Sequence, residues 1–298
     1  MASVVLGKED VARNCVIALL AGEHVLLEDL PGVGKTLMGK ALARSVAGDF
    51  RRIQFTPDLL PSDIVGSSIF KSATNEFEFK QGPIFSNFVL ADEVNRAPPR
   101  TQSALLEAMS DRQVSVDGVT HPLPPPFMVI ATQNPFEFEG TYVLPESQLD
   151  RFLLRISMGY PDREYEEAIL TSHRRGEPVE TLQAVSDASQ LVRIQAIVRD
   201  VKVDSSISDY ILKIVHETRQ STELAFGVST RGALLWYRAT QAAAFVDGRD
   251  YAIPDDARAL AISVCGHRVQ SRGFLQGNQR NETEEIIRRI VGQVELPS

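Results

Sequence analysis

One stretch constrains this chain more than any other. Glu28-Asp29-Leu30-Pro31-Gly32-Val33-Gly34-Lys35-Thr36 follows the apolar run Val25-Leu26-Leu27 and opens into Leu37-Met38-Gly39-Lys40-Ala41-Leu42-Ala43. A buried strand, a glycine-bearing loop and a helix in that order form a cradle for phosphate. Gly32 and Gly34 let backbone N–H groups turn inward at the helix N-terminus, with Pro31, Val33 and Leu37 completing the loop and the helix start. Lys35 supplies a point charge for the outer phosphates, and the Thr36 hydroxyl can ligate Mg2+. The strict form of this loop begins with glycine, and Asp29 stands there instead. The competing reading is an ordinary glycine turn ahead of a surface helix; Gly-Lys-Thr in a strand-to-helix context favours the phosphate cradle.

Up to about residue 160 strands and helices alternate. An apolar helical pattern from Val11 to Leu20 precedes the first strand, and Arg52 to Phe55, Phe88 to Ala91, Phe127 to Ala131 and Leu153 to Ile156 read as further strands. Most are continuous apolar runs, the signature of a parallel sheet covered by helices on both faces. Glu76 to Phe79 reads as one arm of a hairpin, and Val114 to His121 as another with Asp117-Gly118 at its turn. From Pro161 onward amphipathic helices follow one another (164–173, 187–198, 207–219, 231–245 and 255–267) with no strand run between them. The expected architecture is an α/β nucleotide-binding domain over residues 1–160 and a smaller helical domain over 161–298.

Composition narrows the function classes. With 31 Lys plus Arg against 39 Asp plus Glu, the net charge is −8, so long-range attraction to nucleic acid or an anionic membrane is not expected. Cys15 and Cys265 lack metal spacing and read as buried thiols; His121, His173 and His267 likewise read as structural. No stretch has the length of a membrane span or the pattern of a leader, which makes the cytoplasm the expected location.

Asp92-Glu93 ends the apolar run at Phe88, where an open α/β sheet places ligands. Asp92 suits Mg2+, and Glu93 suits polarising an attacking water. Read in isolation, the same pair is two solvated carboxylates at a strand end. Asn134, in Ala131-Thr132-Gln133-Asn134-Pro135, is placed to reach a γ-phosphate or that water, although Asn-Pro also starts ordinary turns. In Gly227-Val228-Ser229-Thr230-Arg231 the helix cap falls on Ser229 or Thr230, putting Arg231 in the first turn, where the helix dipole disfavours a cation. A nearby anion removes that conflict; extension into solvent is the alternative.

These motifs carry a family resemblance. Arg52 to Asp63, Gln81-Gly82-Pro83-Ile84-Phe85, Leu90 to Pro99, Ala131 to Pro135 and Leu144-Pro145-Glu146-Ser147-Gln148-Leu149-Asp150-Arg151-Phe152 closely resemble the MoxR family of AAA+ ATPases. The resemblance implies an AAA+ module with a helical lid, ATP and Mg2+ as ligands, and a ring of subunits, usually a hexamer. It gives Lys35 and Thr36 the Walker A roles, Asp92 and Glu93 those of Walker B, Asn134 sensor 1 and Arg231 sensor 2. Arg151 matches the arginine finger that reaches a neighbouring subunit's γ-phosphate. By its own chemistry, Arg151 equally suits an ion pair with Asp150 or Glu146. The segment Leu6-Gly7-Lys8-Glu9 is similar to the one lining the adenine pocket, and residues 64–84 and the 117–118 hairpin resemble insertions facing the ring pore or a partner.

What the family implies is a chaperone-like remodeller acting on a protein substrate, often beside a von Willebrand factor A domain protein, in maturation of complexes or metalloenzymes. A metal-chelatase motor subunit and a slowly hydrolysing nucleotide-dependent scaffold are the alternatives. A DNA motor fits poorly with the acidic balance, although Lys71 and Lys80 leave room for contact with a polyanion.

Overall fold

A computed structural model describes the chain except residues 2–3, 136–139, 173–175, 274–278 and 298, so His173 lies outside the described residues. Two compact units emerge. The first comprises Met1–Cys15, Leu26–Leu144 and Ser157–Val192; the second comprises Val16–Val25, Pro145–Ile156 and Arg193–Ser298. Residues 157–192, on both sides of the boundary read near 160, therefore cluster with the first unit.

In chain order, α1 (Glu9–Ala21) precedes β1 (Val25–Glu28), and α2 (Lys35–Ser45) leads to β2 (Phe50–Gln54). A short α3 (Pro61–Val65) runs into the hairpin of β3 (Gly66–Lys71) and β4 (Glu76–Gln81). Then come β5 (Phe88–Asp92), α4 (Pro99–Asp111), the hairpin of β6 (Gln113–Val116) and β7 (Val119–Pro122), and β8 (Met128–Gln133). Within the first unit the core strands lie in the order β2-β5-β8-β1, with β5 parallel to both β2 and β8. Leu26, Leu27, Val89, Leu90, Val129 and Ile130 are wholly buried, and burial contributes about 1.5–3 kcal/mol for each such aliphatic side chain. That continuous burial is why these strands read as apolar runs. The carboxyl ends of β1, β5 and β8 accordingly present Asp29, Asp92 and Asn134 in sequence.

The Asp-Gly hairpin forms as expected, with both Asp117 (φ 51°) and Gly118 (φ 78°) left-handed as a type I′ turn requires. His121 on β7 stacks on Phe79 of β4 at 4.1 Å, a packing role. Lys71 pairs with Glu78 across the β3–β4 hairpin, which neutralises one of the two lysines considered for polyanion contact.

After α5 (Glu146–Leu149) and β9 (Leu154–Ile156), helix α6 (Arg163–Ser172) belongs to the first unit. The rest is helical: α7 (Ala188–Arg199), α8 (Ser205–Gln220), α9 (Thr230–Val246), α10 (Pro254–Cys265) and α11 (Gln279–Gln293). In the second unit the wholly buried Trp236 of α9 donates its indole N–H to Ala257 O of α10 at 2.9 Å, satisfying the one polar atom of its ring. Two strands that the sequence did not announce, β10 (Leu224–Phe226) and β11 (Gln270–Ser271), pair antiparallel there. Neither is long enough to carry a periodicity signal. Both cysteines are free and buried, and burial pushes each thiol up to about 12. Among the described residues no helix is long and apolar enough to cross a membrane.

Candidate functional site

The first unit holds a cavity of about 1050 Å³ at the carboxyl ends of its strands. Its floor is the loop Pro31, Gly32, Val33, Gly34, Lys35, Thr36 and Leu37; Asp92 from the end of β5, the following Glu93, and Arg52 and Gln54 from β2 form one side. Tyr160, Glu166, Ile169 and Leu170 form another, with Val4, Val5, Leu6 and Lys8 from the N-terminal segment. Charged and polar groups and apolar ones thus line one cavity, as a ligand with phosphates and a flat base requires.

Gly34 sits at φ 95°, ψ 17° as the residue ahead of α2, a left-handed conformation open to glycine at no steric cost. The turn points the first N–H groups of α2 at the cavity end where phosphate would lie. Lys35 donates Nζ–H to the carbonyl of Asp29 at 2.8 Å. Desolvation pushes the Lys35 ammonium below its ordinary value, while Asp92, Asp29 and Glu93 push back. A neighbouring phosphate would strengthen the opposing side.

Asp29 explains its own departure from the loop consensus. Its Oδ2 accepts N–H bonds from Met158 and Gly159, each at 2.6 Å, and the Ser157 hydroxyl at 2.9 Å; Oδ1 accepts the N–H of Leu30 at 2.9 Å. Burial opposes ionisation of Asp29, but these bonds from Gly159, Ser157, Leu30 and Met158 prevail and hold the carboxyl below its ordinary value. The side chain ties the start of the loop to the segment that runs on to Tyr160.

Asp92 is buried and fully engaged. Oδ1 accepts the hydroxyl of Thr132 at 2.5 Å, and Oδ2 accepts Arg52 Nε at 3.0 Å and an Arg52 terminal N–H at 2.5 Å. Thr132 in turn accepts the backbone N–H of Glu93 at 2.9 Å, so one buried hydroxyl fixes both acidic residues. Glu93 itself has φ 57°, ψ 52°, a strained setting for a non-glycine residue. Its Oε2 accepts Gln54 Nε2 at 3.0 Å and lies 3.1 Å from Arg96 Nε. Thr36 and Asp92 offer hard oxygen donors to one cavity. That donor set fits Mg2+, which takes one or two protein oxygens and completes its shell with phosphate and water.

The expected residues separate into groups. The loop from Pro31 to Leu37, Asp92 and Glu93 meet at the cavity. Gly7 does not line it; its φ of 68° and the Tyr165 ring, 2.5 Å from where a Cβ would stand, make it a packing position between the lining residues Leu6 and Lys8. Asn134 follows β8 in the same unit but is not among the lining residues; two positions earlier, Thr132 touches Asp92 directly. Arg151 and Arg231 belong to the second unit. Ser229 caps α9 by accepting the N–H of Gly232 at 2.9 Å, which puts Arg231 in the first turn, exposed. Arg52, Gln54, Thr132 and Tyr160 were not anticipated: β5 pairs Ala91 with Ala131 and β2 pairs Gln54 with Asp92, and this register brings the first three to the acidic pair, whereas Tyr160 lines the cavity from the segment after β9.

Comparison with known proteins adds to this geometry. Residues 24–154 match the ATPase family associated with various cellular activities (AAA), and residues 216–290 match the AAA lid domain. The chain is 50% identical to Bacillus subtilis YeaC over 99% of its own length and 92% of that relative. It is 41% identical to the Mycobacterium tuberculosis chaperone MoxR1, over 99% of this chain and 80% of the relative. A solved structure of a candidate ATPase from Cytophaga hutchinsonii superposes with a TM-score of 0.90 at 38% identity, covering all of this chain and 92% of the other.

Proposed function

This chain belongs to the MoxR family of AAA+ ATPases, and from that premise we propose that it hydrolyses ATP with Mg2+ to drive chaperone-like remodelling of a protein client. The observation that carries the reading is the meeting of Lys35, Thr36, Asp92 and Glu93 at one cavity. In this reading the N–H groups after Gly34 cradle the phosphates and Lys35 neutralises the outer ones. Thr36 and Asp92 hold Mg2+, which supplies charge neutralisation across the phosphates when bound. Glu93, aimed by the Thr132 bond to its N–H, orients the attacking water and draws on its proton. Arg52 holds Asp92 and Gln54 holds Glu93 in place, so both carboxylates are oriented by neighbours on β2.

Asn134 is assigned to the γ-phosphate side, Arg231 to the same subunit's nucleotide as sensor 2, and Arg151 to the nucleotide of a neighbour in a homo-oligomeric, hexameric ring. The chaperone description of the Mycobacterium tuberculosis relative supports a protein client. Assembly of a protein complex or a metalloenzyme, with a von Willebrand factor A domain partner, in the cytoplasm, is the process we assign. Glu93→Gln tests the core of it. The amide keeps the shape but is a poor partner for water, so ATP should stay bound while turnover stops; undiminished steady-state hydrolysis would contradict the role of Glu93.

A further inference from the structure

In the second unit a single carboxylate links the segments that carry the two arginines assigned to nucleotide. Asp150 Oδ1 accepts Arg268 Nε at 2.9 Å, and its Oδ2 accepts the Ser229 hydroxyl at 2.9 Å. Arg151 is the next residue along the chain, and Arg231 lies two residues beyond Ser229 in the first turn of α9.

Arg268 does more than pair with Asp150. Its guanidinium, on a side chain only 1% exposed, donates to the carbonyl of Leu153 at 3.2 Å, to that of Asp150 at 3.4 Å, and to those of Phe152 and Val264. The carbonyls on both sides of Arg151 are therefore held by one planar fork, a task that the point charge of lysine cannot reproduce. Gly232 makes room for it: a Cβ there would stand 2.8 Å from Arg268 Cδ and 3.2 Å from its Nε. A buried ion pair is a weak source of stability, because desolvation offsets most of the attraction. What this one supplies is direction, since its bonds to the Asp150, Phe152 and Leu153 carbonyls fix the turn bearing Arg151 while Asp150 holds the Ser229 cap of the helix bearing Arg231.

We propose that Asp150, gripped by Ser229 and Arg268, is a positioning residue that makes Arg151 and Arg231 parts of one rigid body, so that the arginine serving a neighbour's nucleotide and the one serving the subunit's own cannot move independently. This rests on the roles proposed above for those arginines. Loosening the brace disables both at once, whereas removal of Arg151 disables only the neighbour's site.

Ser229→Gly is the informative variant, because glycine is nearly as good a helix cap as serine yet lacks the hydroxyl that reaches Asp150. It should fold with a near-normal melting temperature, lose at least tenfold in kcat and bind ATP more weakly; Ser229→Thr, which keeps the hydroxyl, should restore both. Each variant is then mixed with Glu93→Gln subunits under demonstrated subunit exchange. Arg151→Ala should recover turnover, because some interfaces combine its intact Glu93 with its partner's intact Arg151. Ser229→Gly should not recover, because the site that keeps Glu93 has a displaced Arg231. Arg268→Lys, which keeps the charge and loses the fork, should behave like Ser229→Gly and serves as the second variant should the glycine chain misfold. Normal kcat in both brace variants beside an inactive Arg151→Ala, or rescue of the brace variants as full as that of Arg151→Ala, would overturn the coupling alone. Full activity of Arg151→Ala would overturn the finger assignment, and the coupling with it.

Discussion

Replacing Asp29 by alanine should destabilise the first unit substantially, and the size of the effect can be worked from its bonds. The Met158 N–H belongs to a buried residue and, like that of Gly159, has its acceptor in Asp29 Oδ2 at 2.6 Å. A hydrogen bond to a charged acceptor contributes about 1.5–3 kcal/mol, and a buried N–H stripped of its partner costs about 1–3 kcal/mol. Loss of these two groups alone puts Asp29→Ala about 2–6 kcal/mol below the parent at neutral pH. The pH dependence has a definite sign. The folded carboxyl titrates below its ordinary value, so its contribution is complete above about pH 4, the unfolded value, and is lost as pH falls through the lower folded one. The assay is urea unfolding by far-ultraviolet circular dichroism from pH 7 to pH 3, together with amide exchange of the 157–159 segment. Fluorescence would mislead, because the single tryptophan is Trp236 in the second unit. A gap between parent and variant under about 0.5 kcal/mol at pH 7, within the spread of ordinary surface changes, would refute the reasoning. So would a gap that stays constant down to pH 3.

Two further outcomes are expected. Lys35→Ala removes the charge facing the outer phosphates and should abolish ATP binding; affinity unchanged within twofold in a titration, roughly 0.4 kcal/mol, would remove the phosphate-cradle assignment. Thr132→Val keeps the shape of a wholly buried side chain but orphans Asp92 Oδ1 and the N–H of Glu93, so denaturant titration should register a loss of about 1–3 kcal/mol, with turnover falling as Glu93 loses its aim.

The cradle was legible because its chemistry is contiguous: loop, charge and hydroxyl sit within a few residues and are read off in order. Asp92 and Glu93 were legible for the same reason, standing at the end of an unbroken apolar run. Thr132 and Arg52 were not, because their importance lies in parallel register, Ala91 beside Ala131 and Arg52 beside Leu90, and no single segment encodes the register of two strands some 40 residues apart. Asp29 was visible only as a departure from a pattern; its partners lie about 130 residues away, so the sequence showed that something had replaced glycine without showing what it held. Ile169 and Leu170, which line the cavity, read only as the apolar face of an ordinary amphipathic helix, and Tyr160 lies ahead of it. Helix α11 escaped because its apolar residues, Ile286, Ile287, Ile290 and Val291, are confined to its second half.

The left-handed backbone at Glu93 sets stability and turnover against each other. A side chain there carries a steric cost of about 1–2 kcal/mol that glycine escapes and asparagine eases. A library randomised at that one codon and sorted only for resistance to heat should drift toward glycine and asparagine, away from the carboxylate. The same library sorted for phosphate release should return to glutamate, and the distance between the two winners in melting temperature measures what the active form forgoes to keep its acid in place.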